Sequence, residues 1–511
     1  LVDLAATRLG GIALAASDEF FAAKENLLQP GPPRFDPERY GDRGKEMDGW
    51  ETRRRRDRAE PGGDRATPGG APGEPEGGAQ AEPAHDWCLI RLGVPGVISQ
   101  VVVDTRHFTG NHPQAFALDG CVVAGDAAVA EADWVPLVAR TPLRGDDVAQ
   151  VPVATPRRVT HVRLSIFPDG GVARLRLLGR PLVDLRAAAD PAGRLDLAAV
   201  TNGGLVVTSS DAFYASAGNL VTVGDGRDMS DGWETKRRRG PGHDWAVLAL
   251  AATGVVEHVE IDTTNFKGNH PDRCAIDVAC VDVAPPAGDS DDGWTEVLAP
   301  APLQPHFRHR FRVADAGAAT HLRLRILPDG GVARLRAFGR VTDEGWRRHG
   351  LRLLDAATPA AAEAALRACC ASRAWVAAMA ARRPFGSPAA LLAAAEEAAD
   401  RLGPDDWHEA VAAHPRIGER AGGWSAREQA QAAAADAPTL QVLAEGNRRY
   451  EERFGHVFLI RAAGRSAEEI LAALRERLAN DPDTELRVAA EQQREITRLR
   501  LEALLREGGA A

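Results

Sequence analysis

Four motifs occur twice in the chain, in the same order. Residues 9–28 (LGGIALAASDEFFAAKENLL) match 202–221 (NGGLVVTSSDAFYASAGNLV). Residues 48–56 (DGWETRRRR), with His85-Asp86-Trp87 further on, match 231–245 (DGWETKRRRGPGHDW). Residues 104–113 (DTRHFTGNHP) match 262–271 (DTTNFKGNHP), and 161–180 (HVRLSIFPDGGVARLRLLGR) match 321–340 (HLRLRILPDGGVARLRAFGR). Repetition on this scale is a duplicated domain, not an array of short repeats. The first two-thirds of the chain therefore contains one fold built twice.

Each copy reads as β. Val162, Leu164 and Ile166 alternate with other residues, and Pro168-Asp169-Gly170-Gly171 is a turn signal before a second apolar run at 172–178. Residues 97–104 and 255–262 also read as strands. Short strands punctuated by Gly and Pro predict a sandwich or jelly roll. The first copy is interrupted at 57–84, a Pro/Gly/Glu-rich stretch without apolar anchors, expected to be a disordered insertion. The second copy crosses the same gap with Gly240-Pro241-Gly242.

After Arg340 the composition shifts to Ala, Leu, Glu and Arg with helical periodicity. Thr358-Pro359, Ser387-Pro388 and Ser466 are expected helix starts and Gly403 a stop. The expected architecture is two tandem jelly-roll-like β-sandwich domains (1–183 and 184–343), a joint at 344–352, and an all-α helical domain at 353–508.

The totals exclude several classes. A net charge of −10 gives no nucleic-acid footprint. No apolar run approaches the ~18 residues of a membrane span. The six cysteines form no CxxC pair, which suits a reducing cytoplasm.

Polar residues kept in both copies either define the fold or form a duplicated site. They are Asp48/Asp231, Glu51/Glu234, the basic run, His85/His243, Asp86/Asp244, Asn111/Asn269 and His112/His270. A structural reading stands beside the functional one: Asp-Gly-Trp is a turn with a core Trp, and Asn-His-Pro a loop closed by side-chain hydrogen bonds. The run 53–56, matched by 236–239, repels itself unless paired. Its members, Arg237 and Arg238 among them, suit acidic neighbours or an anionic ligand held bidentately. The His and Asn spacing is too loose to define a metal site.

In both copies the ordered set DGWET(R/K)RRR, HDW, DT..F.GN.P and PDGG.ARLR resembles allantoicase, over roughly residues 1–340. The resemblance implies hydrolysis of allantoate to ureidoglycolate and urea. Glu51, His85, Asp86, Glu234, His243 and Asp244 are then the candidate catalytic groups. Asn111, His112, Arg237, Arg238, Asn269 and His270 are the candidate substrate ligands. A divalent metal is possible and undetermined.

In the helical third, HPRIG at 414–418, S..EQ at 425–429, N..Y...FG..F at 447–458, NDP.TEL at 480–486 and EITRLRL at 495–501 occur in order. Ser425 and Glu428 also make a capping box, expected at any helix start. Together these motifs resemble 2-oxo-4-hydroxy-4-carboxy-5-ureidoimidazoline (OHCU) decarboxylase, over roughly 353–507. The resemblance implies a cofactor-free helical enzyme. In it His414 is the catalytic acid/base with Glu428 acting beside it, Pro415, Ser425 and Gln429 touch substrate, the backbone of His456, Val457, Phe458, Leu459 and Ile460 binds the ring, and Arg500 binds the anionic group.

The two activities belong to one course of ureide breakdown, so the expectation is a bifunctional, cytoplasmic and homo-oligomeric enzyme acting on allantoate and OHCU. The rival reading keeps the decarboxylase and makes the β half a ureide-binding or oligomerising module.

Overall fold

The computed structural model describes residues 1–55, 85–154, 157–417, 424, 427 and 436–508. The insertion at 57–84 lies outside the described residues. Two compact units are formed, Leu1–Arg340 and Val341–Ala511.

Each repeat is organised by one long strand, Asp86–Asp104 in the first and Asp244–Asp262 in the second. Buried and less buried residues alternate along nearly all of Asp86–Asp104, as a strand with one face on a core requires. The strand serves two layers. Its first half pairs with Ile12–Ala16 and Arg158–Phe167, and its second half with Val148–Pro152 and Arg174–Pro181. The change of partners falls at Pro95-Gly96, opposite a register shift between Val159 and His161. The second copy repeats this, with a register shift between Ala249 and Gly254. The result is a β-sandwich in each repeat, closed over a core that includes Leu27, Trp50, Ile90, Val101, Leu118 and Leu164.

Trp50 and Trp233 of the two DGW motifs are fully buried. Each indole N–H donates to a loop carbonyl, Asp18 O at 2.9 Å and Asp211 O at 2.8 Å. Burying such a ring removes ~150–250 Å² from water, worth about 4–6 kcal/mol at ~25 cal/mol per Å². The tryptophans follow the structural reading of the motif, and so does its aspartate. Asp48 Oδ2 receives Arg174 Nη2 at 2.8 Å, and Asp231 Oδ2 receives Arg334 Nη2 at 3.0 Å. Both arginines are buried, so these kept aspartates serve the fold.

In the helical unit Thr358, Ser387 and Ser466 are N-caps, of Pro359–Cys369, Pro388–Ala399 and Ala467–Arg477. Two expectations are corrected. Gly403 ends no helix; it precedes Pro404–Ala412 as its N-cap, with its N–H on the Asp406 carboxylate at 3.1 Å. The joint at 344–352 is itself helical, within Asp343–Ala356, capped by Thr342. Its Gly350 is there for contact: a Cβ would lie 2.0 Å from Leu505 O on the long helix Pro482–Glu507.

Candidate active sites

In each repeat the site is built around the turn after a strand, 168–171 in the first copy and 328–331 in the second. Gly170 and Gly330 have φ of +138° and +130°. A Cβ on either would stand 2.6 Å from the carbonyl of Asn111 or Asn269, so the close approach requires glycine. The Gly171 N–H donates to Asn111 O at 2.7 Å and the Gly331 N–H to Asn269 O at 2.8 Å. Thr52 and Thr235 bond the backbone of the same turns. The turn thus holds the GN.P loop on one side and the DGWET strand on the other.

This frame gathers two polar pairs per copy. Asn111 Nδ2 donates to Glu51 Oε1 at 2.7 Å, and Asn269 Nδ2 to Glu234 Oε1 at 2.5 Å. Burial pushes the Glu51 carboxyl above its ordinary range, against the Asn111 hydrogen bond. The second pair joins the basic run to the HDW motif. Arg55 Nη1 meets Asp86 Oδ1 at 2.8 Å, and Arg238 Nη2 meets Asp244 Oδ1 at 2.5 Å. Each aspartate also accepts a serine hydroxyl, from Ser17 or Ser210. Asp169 and Asp329 of the turn accept the backbone N–H of the same arginines, both at 2.8 Å. Neither aspartate was singled out from sequence, although PDGG is repeated intact.

Among the described residues the strands end at Glu51 and Glu234, and the basic runs that follow, 53–55 and 236–239, are not strand. The third member of each turns inward to the aspartate. Arg237 is exposed, with no hydrogen bond or ion pair among the described residues, and is available to a ligand.

The histidines differ between copies. The His85 ring packs on Phe167 at 5.0 Å, and its carbonyl accepts from Arg55. Among the described residues His243 has no such ring contact, and Leu327 stands where the first copy has Phe167. Among the described residues the His243 Nε2 is buried without a hydrogen-bond partner, as are Asp86 Oδ2, Arg238 Nε and His270 Nδ1. A buried polar atom without a partner calls for an explanation, and a catalytic role or a bound ligand is one. His112 Nδ1, by contrast, lies 3.0 Å from Thr109 O and closes its own loop.

Burial holds the His243 imidazole below its ordinary pKa, reinforced by Arg325, Arg323 and Arg238 and opposed by Asp291. Folded His243 therefore resists a proton that the unfolded chain takes up near its ordinary value of 6.5. Its contribution to stability is present above that pH and is lost as pH falls below it. Thermal midpoints measured from pH 7.5 downward are expected to drop less steeply in His243→Gln than in wild type. Some slope remains, because His309, His321 and His456 are shifted the same way. Identical slopes would contradict the assignment.

Among the described residues, no group of three or more His, Cys, Asp or Glu side chains is clustered to hold a metal ion. No helix among them is long and apolar enough to cross a membrane.

In the helical unit His414 follows Pro404–Ala412, half-buried, with its N–H on Val411 O at 3.1 Å. Pro415 beside it is also half-buried. Val411 packs with Leu459, Ala489 and Ile496. That cluster brings the end of this helix, the segment 456–460 and the helix Pro482–Glu507 together. Phe458, Leu459 and Ile460 bury their side chains. Among the described residues their N–H groups have no hydrogen-bond acceptor, which leaves a strand-like edge for a ligand. His456 is buried, with Nδ1 3.1 Å from Val457 O. Arg500, on the long helix, is buried and reaches Ala368 O at 3.4 Å. Ser425, Glu428 and Gln429 lie outside the described residues. A separate cleft lined by Cys370, Trp375, Trp407, Gln493 and Thr497 includes none of the expected decarboxylase residues.

The model of the allantoicase repeat matches residues 2–182 and 195–342. The chain belongs to the allantoicase family. The OHCU decarboxylase model matches 355–502, so an OHCU decarboxylase domain follows the allantoicase repeats. The allantoicase half is similar to probable allantoicase 2 of Burkholderia pseudomallei, with 44% identity over 348 residues, 66% of this chain and 94% of that protein. It is equally similar to a probable allantoicase of Streptomyces coelicolor, 44% identical over 68% of this chain and 87% of that one. The crystal structure of Saccharomyces cerevisiae allantoicase superimposes with a TM-score of 0.51 at 31% identity, covering 66% of this chain and 92% of that one. The allantoicase fold is thus present in both repeats, with the polar pairs described above at matching places.

Proposed function

We propose that the chain is a bifunctional enzyme of ureide breakdown, hydrolysing allantoate to ureidoglycolate and urea in its β half and decarboxylating OHCU to (S)-allantoin in its helical third. The observation that carries the first activity is the duplicated pairing of Arg55 with Asp86 and Arg238 with Asp244, beside a Glu–Asn pair on the same turn.

The working centre is assigned to the second repeat. Arg237 is free to take the substrate carboxylate. Neutral His243, with Asp244 and Arg238 adjoining, accepts a proton from water as its oxygen displaces a ureido nitrogen at the tetrahedral carbon, the C–O bond forming as the C–N bond breaks. The proton passes to the leaving nitrogen, releasing urea. Glu234 and Asn269 supply an acceptor and a donor to the ureido groups, with His270 beside them. Glu51, His85, Asp86, Asn111 and His112 form the matching set of the first repeat.

In the helical third, His414 delivers a proton to the carbon that loses carbon dioxide. Arg500 holds the anionic group and the 456–460 backbone holds the ring. Glu428 acts beside His414, and Ser425, Gln429 and Pro415 line the substrate. This step uses protein groups alone. A divalent metal in the hydrolase and a homo-oligomeric assembly are further parts of the proposal.

Urea release from allantoate, measured after metal removal and again after restoration, tests the hydrolase. Urea formed by the purified chain supports the reading, and recovery only with added metal places an ion in that site. No urea under either condition, with decarboxylation intact, would leave the repeats as a binding module.

A further inference from the structure

Two motifs of the helical third have no part in the chemistry above: the tyrosine of N..Y and the glutamate of NDP.TEL. Both meet at one buried carboxylate. Glu485 has no exposed surface. Its Oε1 accepts from Tyr450 Oη and from Arg477 Nε, the latter at 2.8 Å, and its Oε2 accepts from Asn480 Nδ2 at 2.7 Å. These residues come from three helices, Ala437–Phe454, Ala467–Arg477 and Pro482–Glu507, and the turn between the last two. Arg477 then turns outward from the carboxylate, and its Nη1 donates to Leu459 O at 2.7 Å. The same guanidinium lies 4.7 Å over the Phe458 ring, which also packs on Tyr450 at 5.1 Å.

Leu459 is the middle of the segment whose N–H groups have no acceptor among the described residues. An extended peptide without sheet partners is free to rotate its amides unless something holds its carbonyls. Arg477 grips one carbonyl, and the Arg461 N–H on Gln492 Oε1 at 2.9 Å fixes the far end. The chain enters the segment through Gly455, in the left-handed conformation that ends Ala437–Phe454.

We infer that Glu485, Tyr450 and Asn480 clamp Arg477 so that its grip on the Leu459 carbonyl orients the 456–460 backbone toward the substrate ring. Arg477 and Glu485 are positioning residues: they touch the binding backbone, not the reacting atoms. The inference rests on the reading that this backbone holds the OHCU ring.

The test uses the full chain and OHCU. Lysine at 477 keeps the charge but cannot fork between carboxylate and carbonyl. A loosened backbone grip weakens ground state and transition state alike, so KM rises and kcat holds. For Arg477→Lys, a KM increase of about tenfold is expected, the equivalent of one hydrogen bond, with kcat within about twofold. Glu485→Asp, which keeps the charge and draws Arg477 back, is the second variant and is expected to raise KM in the same direction. Leu391→Ala, in a separate core cluster, is the control for lost stability and is expected to leave KM unchanged. Lowered melting temperature with unchanged KM in both variants would overturn the inference, as would a fall in kcat alone. If the wild type decarboxylates OHCU and His414→Ala does not, such a failure falls on the positioning role only. If the wild type releases no carbon dioxide, the site reading fails and this inference falls with it.

Discussion

Replacing His414 with alanine is expected to slow OHCU decarboxylation by about 10²–10⁴-fold, the usual worth of a positioned proton donor. Loss of carbon dioxide leaves an electron pair on carbon, and the proton that quenches it decides the stereochemistry of the product. On the proposed reading His414 delivers it. It stands at the end of Pro404–Ala412, and Val411 of that helix is locked to the segment 456–460 through Leu459. Its backbone continues the last turn, so alanine preserves the local fold and little stability should be lost. The check is single-turnover decarboxylation together with the melting temperature of the full chain. A rate near wild type would remove His414 from the proton path.

The second large effect is on stability, and it is unequal between the copies. Asp277→Ala is expected to cost about 3–5 kcal/mol, the range for breaking a buried ion pair. Arg323 has only 1% of its surface exposed, and its Nε sits 2.7 Å from Asp277 Oδ2. Arg325 meets the same carboxylate at 2.8 Å. Alanine removes the buried carboxylate that the two arginines share and leaves them only Asp291, at 2.9 Å from Arg323, and Glu296, at 2.6 Å from Arg325, both exposed. The matching pair in the first repeat, Arg163 and Asp119 at 3.1 Å, is partly exposed, 39% and 25% by side chain. Asp119→Ala is therefore expected to cost only about 0–1 kcal/mol. Calorimetry of the full chain separates the two. Equal losses would contradict this account of the second copy.

Much of this was legible before the structure. The duplication announced itself, and both DGW tryptophans are core residues as the turn reading required. Thr358, Ser387 and Ser466 are helix caps because a hydroxyl before Pro, or three residues before Glu, has few other uses. Other features depended on partners distant in sequence. Glycine has low helix propensity, yet Gly350 inside a helix permits close contact with Leu505, and local propensity carries no record of that neighbour. Gly403 suits a helix end in either direction, and Pro404 at the first helical position decides for a start. Asp231 and Arg334 are 103 residues apart. Asp277 meets Arg323 only through the register of two antiparallel strands. A kept polar residue therefore did not distinguish a clamp from a catalyst: Asp48 and Asp231 hold buried arginines, whereas Asp86 and Asp244 adjoin the histidines of the site.

The most direct test of the bifunctional account assays one purified chain for both activities, in wild type, His243→Ala and His414→Ala. The expected result is a double separation. Urea release from allantoate is lost in His243→Ala and retained in His414→Ala, while OHCU decarboxylation shows the reverse. Urea release that survives in His243→Ala would remove the second repeat's histidine from the hydrolytic centre. No urea from wild type, with decarboxylation intact, would contradict the account itself.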